Sequence, residues 1–260
     1  MIVAKDIAVV RGPRRLLDRV DFAAFPGEIV GIVGANGAGK STLVRVLAGE
    51  MAPEAGDVAF DGTPLRDVRP ETLARRRAVL PQHATLAFEL PAIEVAALGR
   101  LAHPAGGDPR AIAAEALDAC GAGHLAARAY STLSGGEQQR VQLARVLAQL
   151  DARDGPDGPR LLLLDEPTAS LDIAHQQSVL RLARRMACAG HAVVAVLHDL
   201  NLAARYCDRI ALMAGGRVLA DAPPALALAN DLLFRTFGVA MRTLRLPEGG
   251  IFIAPEAEPA

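Results

Sequence analysis

A glycine-rich segment near the start of the chain has the residue types that bind nucleotide phosphates. Its sequence is Gly34-Ala35-Asn36-Gly37-Ala38-Gly39-Lys40-Ser41-Thr42. Glycines allow a tight turn that points backbone N–H groups at one anion, and a helix beginning near Ser41 adds its positive end. In such a loop Lys40 reaches the β- and γ-phosphates, and the Ser41 hydroxyl binds Mg²⁺. The segment follows an apolar strand and opens a helix, as a phosphate-binding loop requires.

Two carboxylates follow a run of four leucines much later in the chain. Asp165 and Glu166 come directly after Leu161-Leu162-Leu163-Leu164, a run typical of a strand buried on both faces. At the end of this strand, facing the phosphate loop, Asp165 is placed to hold Mg²⁺, and Glu166 to orient or deprotonate an attacking water. The alternative is that the pair merely ends a strand. The presence of the phosphate loop favours the catalytic interpretation.

A second candidate anion site lies between these two motifs. Leu133-Ser134-Gly135-Gly136-Glu137-Gln138-Gln139-Arg140 precedes a helix-like run, and a helix N-terminus with bare backbone and a serine hydroxyl binds anions. An ordinary helix cap is the alternative. If the segment instead binds phosphate, the chain carries two phosphate sites but one set of hydrolytic residues. Head-to-tail dimerisation resolves this, because the Ser134 segment of one protomer would close over the phosphate held by Lys40 of its partner.

The elements that must position these residues alternate between strands and helices. Apolar strand patterns cover 28–33, 161–164 and 192–197, and helical patterns between them include 42–48 and 175–189. Alternation of this kind predicts a parallel sheet with right-handed crossovers, whose carboxyl edge binds the ligand. Helix-like stretches at 91–100, 111–119 and 138–147 predict an inserted helical region. Glycine pairs or turns near 215 and 249 predict hairpins.

Together the phosphate loop, the acidic pair and the Ser-Gly-Gly segment resemble the nucleotide-binding subunits of ABC transporters, from about residue 2 to about residue 238. The resemblance implies an α/β fold of the P-loop NTPase (RecA-like) type, with an inserted helical subdomain and a small antiparallel β element. It divides the chain into core residues 1–84, helical residues 85–149, core residues 150–238 and a C-terminal tail, 239–260. ATP and Mg²⁺ are the implied ligands, and a homodimer is the implied working unit.

The same resemblance assigns roles to three polar residues that spacing alone leaves open. Gln82 follows Val79-Leu80-Pro81, and His198 follows Val193-Val194-Ala195-Val196-Leu197. In the family the matching glutamine touches Mg²⁺ or the attacking water, and the matching histidine contacts the γ-phosphate. Asp172, in Ser170-Leu171-Asp172, resembles the loop that crosses the dimer interface.

One departure from the family concerns the adenine. Members usually stack the base on an aromatic residue near the end of the first strand, but here the matching stretch is Val9-Val10-Arg11-Gly12. Either the Arg11 guanidinium stacks on the base, or apolar contacts hold it loosely. We take Arg11 as the candidate.

Composition narrows the choice of partners. The formal net charge is −1 and the aromatic fraction 3%, so neither a broad basic field nor a set of stacking platforms favours nucleic acid. Cys120, Cys188 and Cys207 lack metal-site spacing and are expected to be small core residues. The N-terminus does not resemble a signal peptide, and no apolar run is long enough to span a bilayer.

Finer similarities point to an importer. Leu80-Pro81-Gln82-His83-Ala84, Phe88 and Val95-Ala96-Ala97-Leu98-Gly99-Arg100 resemble the iron-siderophore, haem and cobalamin importers. The Gly/Pro/Asp loop before Leu161 and the segment 165–176 most resemble the haem (hemin) import ATPases. Because the substrate passes through the partners, no haem ligand is expected here, and His83, His175 and His191 are expected to be surface or loop residues.

The implied partners are two membrane permease subunits and, indirectly, a periplasmic substrate-binding protein. The protein is expected at the cytoplasmic face of the bacterial inner membrane. The alternatives are a ferric-siderophore or cobalamin importer, a soluble ABC ATPase acting on nucleic acid or ribosomes, and a P-loop kinase or GTPase. The last would need no Ser-Gly-Gly segment.

Overall fold

The computed structural model describes residues 1–82, 89–103, 107–151, 153, 158–169, 171–247 and 249–256. Within these ranges the strands are β1 (Ile2–Arg11), β2 (Arg14–Ala24), β3 (Ile29–Gly34), β4 (Ala55–Phe60), β5 (Thr63–Pro64), β6 (Arg77–Leu80), β7 (Leu161–Asp165), β8 (Ala192–Val196), β9 (Arg209–Ala214), β10 (Arg217–Ala222), β11 (Met241–Arg245) and β12 (Ile251–Pro255). The helices are α1 (Lys40–Leu47), α2 (Pro70–Arg76), α3 (Ala92–Ala97), α4 (Pro109–Ala119), α5 (Gly135–Gln149), α6 (Ile173–Cys188), α7 (Leu200–Tyr206), α8 (Pro224–Ala227) and α9 (Asn230–Phe237).

A six-stranded sheet forms the centre of the molecule, in the order β10-β9-β3-β8-β7-β6. Its pairs are parallel except β9–β10. Every residue of β3, β7 and β8 is buried, because apolar clusters cover both faces of the sheet. This explains why these strands are apolar, apart from Asp165 at the end of β7, instead of alternating. The predicted parallel sheet is confirmed.

A separate antiparallel sheet packs beside the core, in the order β2-β1-β4-β5. Strand β1 lies between β2 and β4 and ends at Arg11. The sequence analysis anticipated a small antiparallel element but not a four-stranded sheet. Irregular registers in β1 explain this, because they interrupt the alternation of apolar and polar residues.

The inserted helical region has its own apolar cluster, formed by α3, α4 and α5. The helix expected over 91–100 is shorter than predicted: α3 ends at Ala97, and a 3₁₀ turn covers Leu98–Ala102. The tight turn brings Gly99 against α5, where an added Cβ would lie 2.1 Å from the carbonyl oxygen of Arg145. Close packing between the two segments therefore overrides the helical propensity of the sequence.

Both predicted hairpins are present. β9 and β10 join at Gly215-Gly216, and β11 pairs with β12. Cys120 and Cys207 lie among apolar residues as expected, whereas Cys188 is exposed at the end of α6. The expectation for Cys188 was therefore wrong, because it lies off the apolar face of this amphipathic helix.

Parts of the sequence-based interpretation concern residues that the structure does not describe. His83, Ala84, Phe88 and Ser170 lie outside the described ranges, as does much of the loop before Leu161. The domain boundaries after residues 84, 149 and 238 stay predictions. None of the described helices combines the length and the apolar character needed to cross a membrane.

Candidate nucleotide-hydrolysing site

The glycine-rich loop connects β3 to α1 at the carboxyl edge of the central sheet. Gly37 and Gly39 have φ values of 78° and 98°, in the left-handed region that glycine adopts without strain. An added Cβ at Gly39 would lie 2.6 Å from the carbonyl oxygen of Leu16, and one at Gly34 only 2.2 Å from that of Met213. The loop is therefore held between β2 and β9, and its glycines are required by conformation and by space.

Lys40 is buried inside this loop. Its Nζ donates hydrogen bonds to the carbonyl oxygens of Gly34 at 2.8 Å and Ala35 at 3.0 Å. Burial lowers the pKa of Lys40, and the nearby carboxylates of Glu166 and Asp165 oppose that shift. The amine is thus partnered by weak neutral acceptors, and phosphate oxygens would be stronger ones.

Ser41 and Asp165 connect the loop to the end of β7. The Ser41 hydroxyl donates to Asp165 Oδ1 at 3.2 Å. Burial raises the pKa of Asp165, although the Ser41 hydrogen bond and the charge of Lys40 act in the opposite direction. A buried carboxylate beside a hydroxyl is a set of hard oxygen donors, which suits Mg²⁺.

Glu166 is held from two sides. Gln82 Nε2 donates to Glu166 Oε2 at 2.6 Å, and His198 Nε2 lies 2.5 Å from Glu166 Oε1. The backbone of Glu166 has a φ of 53°, which costs a non-glycine residue on the order of 1–3 kcal/mol. Three strand ends, those of β6, β7 and β8, therefore bring Gln82, Glu166 and His198 together as the sequence predicts.

One cavity of about 510 Å³ collects these groups. Its lining includes the phosphate loop from Asn36 to Thr42 together with Gln82, Glu166, His198 and Leu16. Leu16 was missed by the sequence analysis, since no motif marks an aliphatic residue on β2. Arg11 is not in this lining as described; its side chain is 60% exposed and its Nη1 lies 3.8 Å from Glu54 Oε1.

The Ser134 segment borders a different cavity, of about 550 Å³. Ser134 caps α5 by accepting from the backbone N–H of Glu137 at 3.3 Å, and Glu137 Oε2 accepts from the N–H of Ser134 at 2.8 Å. This reciprocal pair is a capping box. Gly135, Gly136 and Asp172 line the same cavity. The two candidate phosphate sites are therefore separate within one protomer.

Asp172 begins α6 beside this second cavity. Its Oδ1 accepts from the backbone N–H of His175 at 2.9 Å, and His175 Nδ1 lies 2.8 Å from the same oxygen. These contacts lower the pKa of Asp172, the backbone hydrogen bond having the largest effect. His175 and Arg140 also line the cavity, and the sequence analysis gave neither a role there.

Comparison with known proteins agrees with this geometry. Residues 17–169 match the ABC transporter family model. The chain therefore belongs to the ABC transporter family, and it is an ATP-binding and ATP-hydrolysing subunit of that family. A dimeric bacterial ABC transporter cassette of known structure is 28% identical, with a TM-score of 0.76, over 86% of this chain and 99% of that chain.

Its curated relatives are more specific. A Myxococcus xanthus protein called Hemin import ATP-binding protein HmuV is 50% identical over 97% of this chain and 96% of the relative. The protein of the same name from Nocardia farcinica is 54% identical over 92% of this chain and 82% of the relative.

Proposed function

We propose that this chain powers the import of haem (hemin) across the bacterial inner membrane, by hydrolysing ATP at the cytoplasmic face of a separate permease. The choice of haem as the substrate is supported by the near full-length similarity to proteins named for hemin import, at 50% and 54% identity. The proposed reaction is supported by the geometry, because Lys40, Glu166 and His198 line one cavity.

The proposed chemistry is attack of water on the γ-phosphate of ATP. Phosphoryl transfer needs positioning and charge neutralisation more than covalent catalysis. Lys40 would exchange its loop carbonyls for the β- and γ-phosphates. Glu166 orients and deprotonates the water with one carboxylate oxygen, and Gln82 holds the second oxygen, Oε2, of the same carboxylate. His198 contacts the γ-phosphate. The backbone from Gly34 to Thr42 cradles the phosphates, and Arg11 is the proposed partner of the adenine.

Ser41, Asp165 and Gln82 are the proposed Mg²⁺-binding residues. The hydroxyl–carboxylate contact of 3.2 Å places two hard oxygens at one point, and the raised pKa of buried Asp165 marks a carboxylate that a cation would stabilise. Bound there, Mg²⁺ would neutralise charge on the β- and γ-phosphates.

The working unit is proposed to be a homodimer in which Ser134, Gly135, Gly136 and Glu137 of one protomer face the ATP held by its partner. Asp172 would lie at the same interface. One ligand at about 1,000 times its Kd favours a state by about 4 kcal/mol. Reversing a 1:99 equilibrium needs about 5.5 kcal/mol. For an equilibrium of that size, one shared ATP molecule would reach about 10:1 and fall short of 99:1, whereas two would exceed it.

Reconstitution in vesicles tests this function. The chain is combined with candidate haem permease subunits and a periplasmic haem-binding protein. Haem should raise ATP hydrolysis and enter the vesicles, while DNA and ribosomes should have no effect. Glu166→Gln should abolish both activities, and Glu115→Gln, which changes an exposed carboxylate paired with Arg153, should preserve them. Stimulation by cobalamin or a ferric siderophore in place of haem would refute the proposed substrate and leave the ATPase intact.

A further inference from the structure

The C-terminal hairpin is attached to the core by both of its outer edges. Thr243 of β11 and Ile253 of β12 are direct cross-strand partners, and the backbone N–H of each is bonded outside the hairpin. That of Thr243 donates to Asn230 Oδ1 at 2.9 Å, and that of Ile253 donates to Asn201 Oδ1 at 2.8 Å. Two asparagines on two helices therefore anchor one hairpin.

The Asn201 anchor is the more complete of the two. Asn201 Nδ2 also donates to the carbonyl oxygen of Ile253 at 3.1 Å, so one amide side chain satisfies both backbone groups of this residue. The Ile253 side chain is buried in the apolar cluster that packs against the central sheet. The hairpin is thus fixed in the core at the point where it holds Asn201.

Asn201 belongs to the first turn of α7, three residues after His198. Asp199 caps this helix by accepting from the N–H groups of Asn201 at 2.7 Å and Leu202 at 3.0 Å. The helix has only seven residues, and helices this short depend on tertiary contacts for their stability. The contact between Asn201 and the hairpin is one such contact, and it acts on the turn that fixes the chain after His198.

His198 depends on this turn for its position. Leu197, before it, is buried and fixed to β3 through a hydrogen bond to the carbonyl oxygen of Ile32. The His198 side chain is 46% exposed and reaches Glu166 without a surrounding core. Its placement is therefore set by the end of β8 on one side and the start of α7 on the other.

We propose that the C-terminal hairpin is a positioning element for ATP hydrolysis, which acts through Asn201 to hold the start of α7 and thereby keeps His198 against Glu166. Asn201 is a positioning residue and does not touch the nucleotide. The proposal rests on the proposed function, because it assigns His198 to the γ-phosphate. It gives β11 and β12 a role in the rate of the reaction.

A matched pair of variants tests it in the full-length chain. Asn201→Ala and Asn230→Ala each remove a side chain that anchors the hairpin, but only the first is joined to the turn after His198. Since a misplacement of about 1 Å can cost about 100-fold in rate, we expect Asn201→Ala to lower kcat about 10-fold with KM for ATP unchanged. Asn230→Ala should keep kcat within about twofold. Equal effects of the two variants would overturn the proposal.

A double-variant cycle separates this role from general loss of stability. In the His198→Ala background, measured by single-turnover hydrolysis, adding Asn201→Ala should cause no further loss. A further 10-fold loss there would refute action through His198. Asn201→Asp keeps the acceptor for Ile253 and loses the donor, so its kcat should lie between wild type and Asn201→Ala. If Asn201→Ala does not fold, Asn201→Asp replaces it in the comparison with Asn230→Ala. Full activity of Glu166→Gln would refute the proposed function instead.

Discussion

The hydroxyl of Ser41 donates a hydrogen bond to the carboxylate of Asp165, although 124 positions separate the two residues. Ser41 lies in the first turn of α1, which follows β3, and Asp165 ends β7. Strand β8 lies between β3 and β7 in the sheet, and all three strands run parallel. Their carboxyl ends therefore share one edge, which is how two distant motifs form one site.

Mixing two inactive variants tests whether catalytic sites are shared between protomers. Lys40→Ala and Ser134→Arg should each abolish hydrolysis, but a dimer of one with the other contains one intact site. At equal concentrations half the dimers are mixed, so roughly a quarter of wild-type activity should return if the sites act independently. Steady-state phosphate release measures the recovery.

Lys40→Ala mixed with Glu166→Gln is the matched control for that experiment. Both residues line the same cavity within one protomer, so a mixed dimer contains no intact site and should stay inactive. If this control recovers as much activity as the first mixture, or if neither mixture recovers any, the shared-site arrangement is wrong.

The central sheet and the position of the proposed hydrolytic residues at its carboxyl edge were predictable because each motif follows an apolar strand, whereas the roles of Gln82 and His198 came from the family resemblance. An apolar run that ends at a polar residue marks a strand and its carboxyl end together, so Gln82, Asp165 and His198 could be assigned to one edge before their distances were known. The distances of 2.6 Å and 2.5 Å around Glu166 then follow from the order of β6, β7 and β8.

Other features depend on contacts that leave no local pattern. Leu16 lines the nucleotide cavity because β2 packs against the phosphate loop, and an aliphatic residue on a strand carries no signal of that. Asn201 meets Ile253 only after the hairpin docks. The end of α3 at Ala97 is set by the approach of Gly99 to α5. Tertiary packing decides each of these features.

Replacing Arg11 tests how the adenine is held. If the guanidinium stacks on the base, Arg11→Ala should weaken ATP binding about 2- to 30-fold, as the loss of a cation–π contact worth about 0.5–2 kcal/mol implies. Binding of inorganic tripolyphosphate, which has no base, should not change. Isothermal titration calorimetry measures both, with exposed Arg14→Ala as the control. Equal ATP affinity in Arg11→Ala and wild type would exclude this role.

Removing the charge of Asp165 should stabilise the protein without nucleotide while abolishing its function. Because burial raises the pKa of Asp165, its ionisation opposes folding as the pH rises through the folded-state pKa. Asp165→Asn should therefore unfold at a temperature higher by a few degrees at pH 7. The difference should vanish below the ordinary aspartate pKa of about 3.9.

Thermal unfolding with and without MgATP measures both effects of Asp165→Asn. Wild type should be stabilised by MgATP and the variant should not. Asp57→Asn, a change at an exposed residue paired with Arg66, should behave as wild type in both conditions. A variant less stable than wild type at pH 7 would show that the carboxylate contributes more to folding through Ser41 than its burial costs.

A buried histidine outside the site should make the fold sensitive to mild acid. His103 is 3% exposed, and its Nε2 lies 2.9 Å from the carbonyl oxygen of Gln149. Burial lowers the pKa of His103, with Arg100, Arg75 and Arg160 acting in the same direction and the Gln149 contact opposing it. Protonation therefore favours the unfolded state. The stability that the neutral imidazole of His103 contributes is complete above the unfolded pKa of about 6.5. It is lost as the pH falls through the folded pKa.

His103→Gln tests this, because the amide can still donate to Gln149 but does not titrate. Between pH 7 and 5 the unfolding temperature of wild type should fall more steeply than that of the variant. His191, whose pKa burial also lowers, would contribute to the slope that remains in the variant. His124→Gln, at an exposed histidine, should keep the wild-type slope. Parallel curves for wild type and His103→Gln would contradict the prediction, because they would show that folding does not lower the pKa of His103.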